Sequence, residues 1–269
     1  MKKNTPDEAL RLARLIVRGA QNGALATNRC AAHSQRGAHS QRGAGNQNGA
    51  GSDAPAHPYV SKVGLAADRA GVPVFLFSTL AAHTRDLLAD PRAALLVEGP
   101  SPTENPLEGP RCSLIGRVEK LQSDQREAAR AVYLDRHPGA ARYVDFGDFA
   151  LWRMAIDKVH YVGGFGRAKW ARGAGYGGDT PGLADAQAGI LETLNGPELD
   201  DLRALAGMVM GHPVARVRAR AIDADGLVMA GGRGRPLRVD FASPAPDVRG
   251  WRARLRTALR RAAGQPASG

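Results

Sequence analysis

The chain has 269 residues, of which 43% are hydrophobic, with a formal net charge of +11 and two cysteines. That length suffices for a full core in one large or two modest domains, while no apolar run approaches the ~20 residues that span a bilayer. Cys30 and Cys112 make neither a metal spacing nor a disulfide framework, and Asp7, Glu8 and arginines interrupt the N-terminal apolar positions, so the expectation is a cytoplasmic protein without a signal peptide.

The excess positive charge gathers in the last third, at 216–220, 231–238 and 249–261. No zinc spacing, RNP-like aromatic strand or basic heptad array accompanies it. It therefore predicts weak contact with anions rather than specific nucleic-acid reading.

In chain order, residues 6–20 place Leu10, Ala13, Leu15, Ile16 and Val17 on a short amphipathic helix, with Asp7 and Glu8 in the first turn where the helix dipole favours acids. Residues 23–27 read as a small-residue strand. Residues 29–57 hold HSQRGA twice, at 33–38 and 39–44, then GNQNGAGSDAPAH. Such a composition cannot offset the entropy of ordering, so a disordered low-complexity loop insertion is expected, with His33 and His39 as products of duplication rather than metal ligands.

From Pro58 the texture is globular. Strands are expected at 58–66 and 72–78, joined as a hairpin through AADRAG, followed by a short helix at 83–91 stopped by Pro91. Further strands fall at 92–99 and 111–121 around a proline-broken loop, and a helix at 123–138 is expected to be N-capped by Ser123 or Asp124. Phe149–Ile156 and Lys158–Phe165 read as closing strands. Short strands, tight turns and helices as plugs spell an antiparallel barrel. Residues 173–182 form a linker, and 183–263 a smaller α+β domain with a helix at 183–209, strands at 214–222, 226–231 and 236–241, a helix at 246–262 and a tail at 264–269. On that last helix Trp251, Leu255 and Leu259 share one face.

Residues 162–170, VGGFGRAKW, invite a phosphate-loop reading. The dinucleotide fingerprint needs a third glycine where Lys169 stands, and the Walker pattern needs a Gly-Lys-Ser/Thr that is missing. What remains is a glycine-bent strand end carrying an aromatic and cations.

The run FLFSTLAAHTRDLLADPRAALLVEG, then LIGRVEKL, YLDRHPGAARYVDFGDFALWRM and VGGFGRAKW, resembles the pyridoxamine 5′-phosphate oxidase-like, FMN-binding split-barrel superfamily, and within it the HugZ-like haem-utilisation branch. The resemblance covers about residues 8–28 and 58–172. It implies an α+β fold: a six-stranded antiparallel split β-barrel over 1–172 with short helices, a homodimer, and FMN at the dimer interface. Matched residue by residue, Tyr59, Val60, Ser61 and Lys62 would run beside the flavin ring, and Phe77 and Ser78 would close the next strand. The family's phosphate segment falls on 81–87, where Ala81 replaces a serine and His83 a lysine. His83, Thr84 and Arg85 then become the phosphate-binding residues, Arg85 supplying the fixed charge. Arg111 stands where the oxidases place a glutamine near the flavin, and a cation there would stabilise an anionic reduced flavin. Arg167 and Trp170 would reach over the cofactor edge from the last barrel strand.

The resemblance implies a flavin-dependent oxidoreductase acting on a small molecule. Oxidation of vitamin B6 is not expected, because the oxidase C-terminus is absent. The alternative is haem binding or degradation through a histidine axial ligand, His160 or His212, with His137 assigned to helix capping. The branch's appended domain carries an H-M-N-x-D-H segment whose place here is 192–197, where only Asn195 is kept.

Overall fold

The computed structural model describes residues 5–29, 57–164, 167–232 and 235–264. Cys30, the tandem repeats with His33 and His39, and nearly all of the expected disordered insertion lie outside the described residues. The chain divides into two compact units, 1–68 with 72–176, and 69–71 with 177–269.

In the first unit, α1 (Pro6–Gly19) begins at Thr5, whose hydroxyl accepts the Glu8 N–H at 3.2 Å. Its apolar stripe of Ala9, Leu10, Ala13, Ile16 and Val17 is buried. Arg14 and Arg18 are buried too, and they donate to the carbonyls of Tyr176 (2.5 Å) and Asp68 (3.2 Å). The helix is thereby stapled to the chain at both distant ends of the unit.

The sheet comprises β1 (Asn22–Arg29), β2 (His57–Gly64), β3 (Ala66–Ala67), β4 (Pro73–Ser78), β5 (Arg92–Glu98), β6 (Arg111–Lys120), β7 (Phe149–Val162) and β8 (Ala168–Arg172). All pairings are antiparallel, in the order β2-β1-β5-β6-β7-β4-β3, with β8 also on β7. Thus β7 keeps β6 on one side while its other side meets first β4 and then β8, and this is where the barrel splits. Two further helices, α2 (Ala82–Ala89) and α3 (Ser123–Arg136), complete the unit. Tyr133 of α3 packs with Val74, Leu76, Leu121 and Leu151 in a buried cluster.

The split barrel is present, with eight strands among the described residues where six were expected, because a two-residue bridge (β3) and a hairpin arm (β8) join the ladder. The expected hairpin between 58–66 and 72–78 shrinks to Ala66–Ala67 against Pro73–Val74. β2 pairs with β1 instead, which sets Ser61 opposite the buried Leu25 and Tyr59 opposite the buried Thr27. Two expected closing strands are one, β7. VGGFGRAKW is a hairpin rather than a strand: Val162 ends β7, Gly163 and Gly164 exchange backbone bonds with Arg167 (2.9 and 3.2 Å), and β8 begins at Ala168. Phe165 and Gly166 lie outside the described residues. At α3 the N-cap is Gln122, without a side-chain bond, so Ser123 and Asp124 lie inside the helix.

A bulge divides β7. Ile115 pairs with Lys158 but Gly116 pairs with Ile156, leaving Asp157 as the extra residue. Two glycines make room for it. A Cβ on Gly116 would stand 1.9 Å from the Ala155 carbonyl oxygen, and one on Gly173 would stand 1.9 Å from that of Ile156.

The second unit holds α4 (Leu183–Asn195), α5 (Leu199–Met210), β9 (Val217–Asp223), β10 (Gly226–Gly231), β11 (Arg235–Asp240) and α6 (Val248–Gly264). The sheet order is β11-β10-β9. The single helix expected at 183–209 is broken at Gly196-Pro197, because proline cannot continue a helix interior. Trp251 is fully buried and donates its Nε1–H to the Asp223 carbonyl at 3.0 Å. Arg238 bridges the Asp223 carboxylate through both Nη atoms (2.7 and 2.9 Å), a buried pair fixing β11 to β9 across β10.

Replacing Gly116 by Ala should destabilise the barrel by about 3 kcal/mol, since backbone rather than a flexible side chain blocks the new methyl. Gly139→Ala, where a Cβ meets nothing within 4 Å, should stay within ~0.5 kcal/mol. Denaturant midpoints of the two variants check this. In the second unit, Arg238→Ala removes the bidentate guanidinium from the buried Asp223 carboxylate and should cost about 3 kcal/mol in the same measurement.

Candidate functional site

Alternation along the strands sorts the expected site residues by face. Successive registers lay one row across the outer face of the sheet: Lys62, Ala24, Leu96, Ser113, His160 and Trp170. The next row joins Val60, Ala26, Ala94, Ile115, Lys158 and Arg172. Leu96 (38% exposed), Val60 (61%) and Trp170 (56%) show that this apolar face is open in the single chain. Its borders are cationic, with Lys62, Lys158 and Arg172 exposed and Arg111 half-buried.

On this face the imidazole of His160 stacks on the Trp170 indole, with ring centroids 4.4 Å apart and planes 18° apart. The His160 side chain makes no hydrogen bond among the described residues, so both ring nitrogens lack a partner there. Arg111 opens β6 and donates to the Leu107 carbonyl at 3.0 Å, which holds its charge at the upper edge. Arg167, in the turn before β8, is exposed.

The inner face carries a second group. Ser61 Oγ lies 3.1 Å from His83 Nδ1, and the His83 ring sits 4.5 Å from that of Phe77, which neighbours Trp152 at 6.0 Å. Tyr59 receives the Arg29 guanidinium over its ring at 4.7 Å. α2 begins beside this group with Ala81 as its N-cap and no side-chain cap, so its first N–H groups remain open to an acceptor. Thr84, 1% exposed, has a hydroxyl with no hydrogen-bond partner among the described residues. Half-buried Arg85 likewise makes no ion pair among them. The Asp86 carboxylate, also buried, accepts from Thr27 at 2.9 Å and ties α2 to β1.

The structure therefore gathers Ser61, Phe77, His83 and Thr84 in one place and His160 with Trp170 in another. Five strand-to-strand steps separate β2 from β8, or ~24 Å along the curved sheet at ~4.8 Å per step. Ser78 belongs to neither group, because its hydroxyl donates to Asp148 at 2.8 Å and accepts the Leu80 N–H to close the turn after β4. His212 lies in the second unit, exposed, with Nδ1 3.1 Å from the Pro213 carbonyl oxygen. His137 is the C-cap residue of α3 through its backbone N–H to the Tyr133 carbonyl, while its ring leaves the helix, with Nε2 2.8 Å from the Leu65 carbonyl oxygen. Cys112 is buried, and burial pushes its thiol up to about 12, which removes it as a nucleophile or ligand. Sequence reasoning missed Thr27, Asp86 and Trp152; the alternation of β1 and β7 marks Thr27 and Trp152 once the pairing is known, and Asp86 follows only from the bond it accepts from Thr27.

Burial pushes the His83 imidazole below its ordinary 6.5, with the Asp86 carboxylate pulling the other way. The unfolded chain therefore binds more protons than the folded one just below pH 6.5, and stability should rise with pH through that window. A His83→Gln variant should show a shallower rise, read as Tm against pH.

A profile of the CREG β-barrel family matches residues 4–177. A curated relative, a chloroplastic non-canonical heme oxygenase of Arabidopsis thaliana, is 29% identical over 199 residues, covering 71% of this chain and 61% of its own. The chain thus spans less than two thirds of that relative's length. A solved heme binding protein from Mycobacterium smegmatis is 27% identical, with a TM-score of 0.53 over 96% of this chain and 98% of that one. A protein of unknown function from Agrobacterium tumefaciens shares the fold at a TM-score of 0.68, with 23% identity over 94% and 95% of the two chains. Eight antiparallel strands split along β7 and a family match over most of that barrel place the chain in the CREG β-barrel family, within the split-barrel superfamily that the sequence resembles.

Proposed function

We propose that the barrel is a haem-binding module that works as a homodimer, with haem against the outer sheet face and His160 as the iron ligand. The observation that carries this reading is the His160 imidazole, free of hydrogen bonds among the described residues and stacked on an exposed tryptophan at an apolar face. The donor set fits the group: a tetrapyrrole offers a flat apolar body and carboxylates, and this face offers Leu96 and Val60 within a rim of Lys62, Arg111, Lys158 and Arg172. A neutral imidazole nitrogen is a common iron ligand, and bound haem supplies a centre for oxygen or electron chemistry. The chain's own residues hold and orient: His160 would ligate, Trp170 would fix the imidazole plane, and the cations would anchor the carboxylates. A second copy laid on the same face would exclude water from it. The Arabidopsis and Mycobacterium relatives, named for heme oxygenase and heme binding, support placing haem ahead of flavin.

A flavin reading rests on a separate observation, the uncapped start of α2 with the orphan Thr84 hydroxyl and the unpaired Arg85. That trio suits a phosphate, and a bound FMN would bring redox chemistry. Since Tyr59, Ser61 and His83 stand five strands from Trp170, a flavin touching both groups would need a second copy to supply one of them.

Haemin and FMN titrations followed by absorbance separate the readings. A Soret band saturating at one haem per subunit, and lost or strongly shifted in His160→Ala, is the expected result. FMN uptake abolished by Thr84→Val, with haemin unaffected by His160→Ala, would replace it with the flavin reading. Leu96→Glu should convert the dimer to a monomer in sedimentation, because it buries a carboxylate at the proposed contact.

A further inference from the structure

The second unit holds a cavity of about 460 Å³ where the end of α5 meets the start of β9 and the end of β10. Met210, Pro213, Val214 and Leu237 line it, and its ionisable lining residues are His212 and Arg216. No acidic side chain faces it among the described residues. Its size falls in the range of small-ligand pockets. Gly231 keeps it open: a Cβ there would stand 2.7 Å from Leu237 Cδ1 and 3.7 Å from Val214 Cγ1, in the space between the two walls.

We infer that this cavity binds a linear alkyl carboxylate, its chain between Met210, Val214 and Leu237 and its carboxylate at Arg216. The charge decides the class. Arg216 is exposed and makes no side-chain hydrogen bond or ion pair among the described residues, so its guanidinium is available to a ligand. The C-terminal end of α5 also lies at this lip, but its partial negative charge of about half a unit is smaller than the full charge of the arginine. Methionine on the wall suits a flexible chain, because its unbranched thioether repacks at low cost. This site is independent of the barrel face and stands whether the barrel holds haem or flavin.

The test uses the full chain labelled with ¹³C-methyl methionine, whose five methionines include Met210 at the cavity and Met154 in the barrel. Titration with decanoate should shift the Met210 methyl and leave Met154 in place. Arg216→Ala should weaken decanoate by about tenfold, the worth of one charge-assisted hydrogen bond, while leaving decanol unchanged. Gly231→Val should abolish both, and Arg216→Ala keeps the test decisive where that variant fails to fold. An unmoved Met210 methyl, or decanoate binding that survives Gly231→Val in a folded protein, overturns the site. Equal affinity for decanol and decanoate overturns the carboxylate class.

Discussion

One unpaired residue governs which chemistry the barrel presents. Side chains on a strand alternate, so the first half of β7 sends Ala150, Trp152 and Met154 inward. Continued without interruption, that parity would turn His160 into the core and Val159 out of it. Asp157 shifts the count by one, so Val159 and Tyr161 are buried while His160 emerges beside Trp170. The bulge itself depends on Gly116 and Gly173, which flank the extra residue from the neighbouring strand and from the segment after β8. A histidine at the surface of a sheet is thus the product of two missing Cβ atoms several residues away.

The same sheet explains why the candidate site reads as two halves. Ser61 and Lys62 are adjacent in sequence yet belong to opposite faces, one toward His83 and α2, the other toward the open apolar band. The inner side of the sheet is buried under α1 and α2, while on the outer side α3 covers Val74, Leu76 and Leu151 of β4 and the first half of β7 and leaves the rows around Val60, Leu96 and Trp170 exposed. Val60, Leu96 and Trp170 leave large apolar side chains exposed on that side, which a ligand or another subunit would cover.

How much of this was legible in the sequence follows from which interactions are local. Helix α1 was readable because Asp7, Glu8 and the Leu10–Val17 stripe all act within a few residues of one another, although its cap at Thr5 was not. Most strands were readable by composition, and the order of motifs identified the superfamily. Pairing was not. β2 chose β1 over β4 because its alternate residues match the buried Leu25 and Thr27, a fact absent from either segment alone. The break at Gly196-Pro197 carried its own signal, whereas the interruption at Asp157 was legible only as a boundary between two expected strands and not as a bulge within one, since its supporting glycines come from other parts of the chain. Among the site residues, the Ser61–His83 contact lay within reach of motif matching, but the stacking of His160 on Trp170 requires knowing that β8 folds back on β7.

The three tryptophans fall in three unlike surroundings, and this gives the protein an optical label for each of its parts. Trp251 sits dry in the second unit with its indole N–H held by a carbonyl, so its emission follows the integrity of that unit. Trp152 is enclosed in the barrel near Phe77 with its indole N–H unpaired among the described residues, and reports on the interior. Trp170 lies half in water against the His160 imidazole, so its emission follows whatever covers that face of the sheet. Fluorescence from single-tryptophan versions of this chain would therefore resolve unfolding of either unit and occupancy of the sheet face without any added dye.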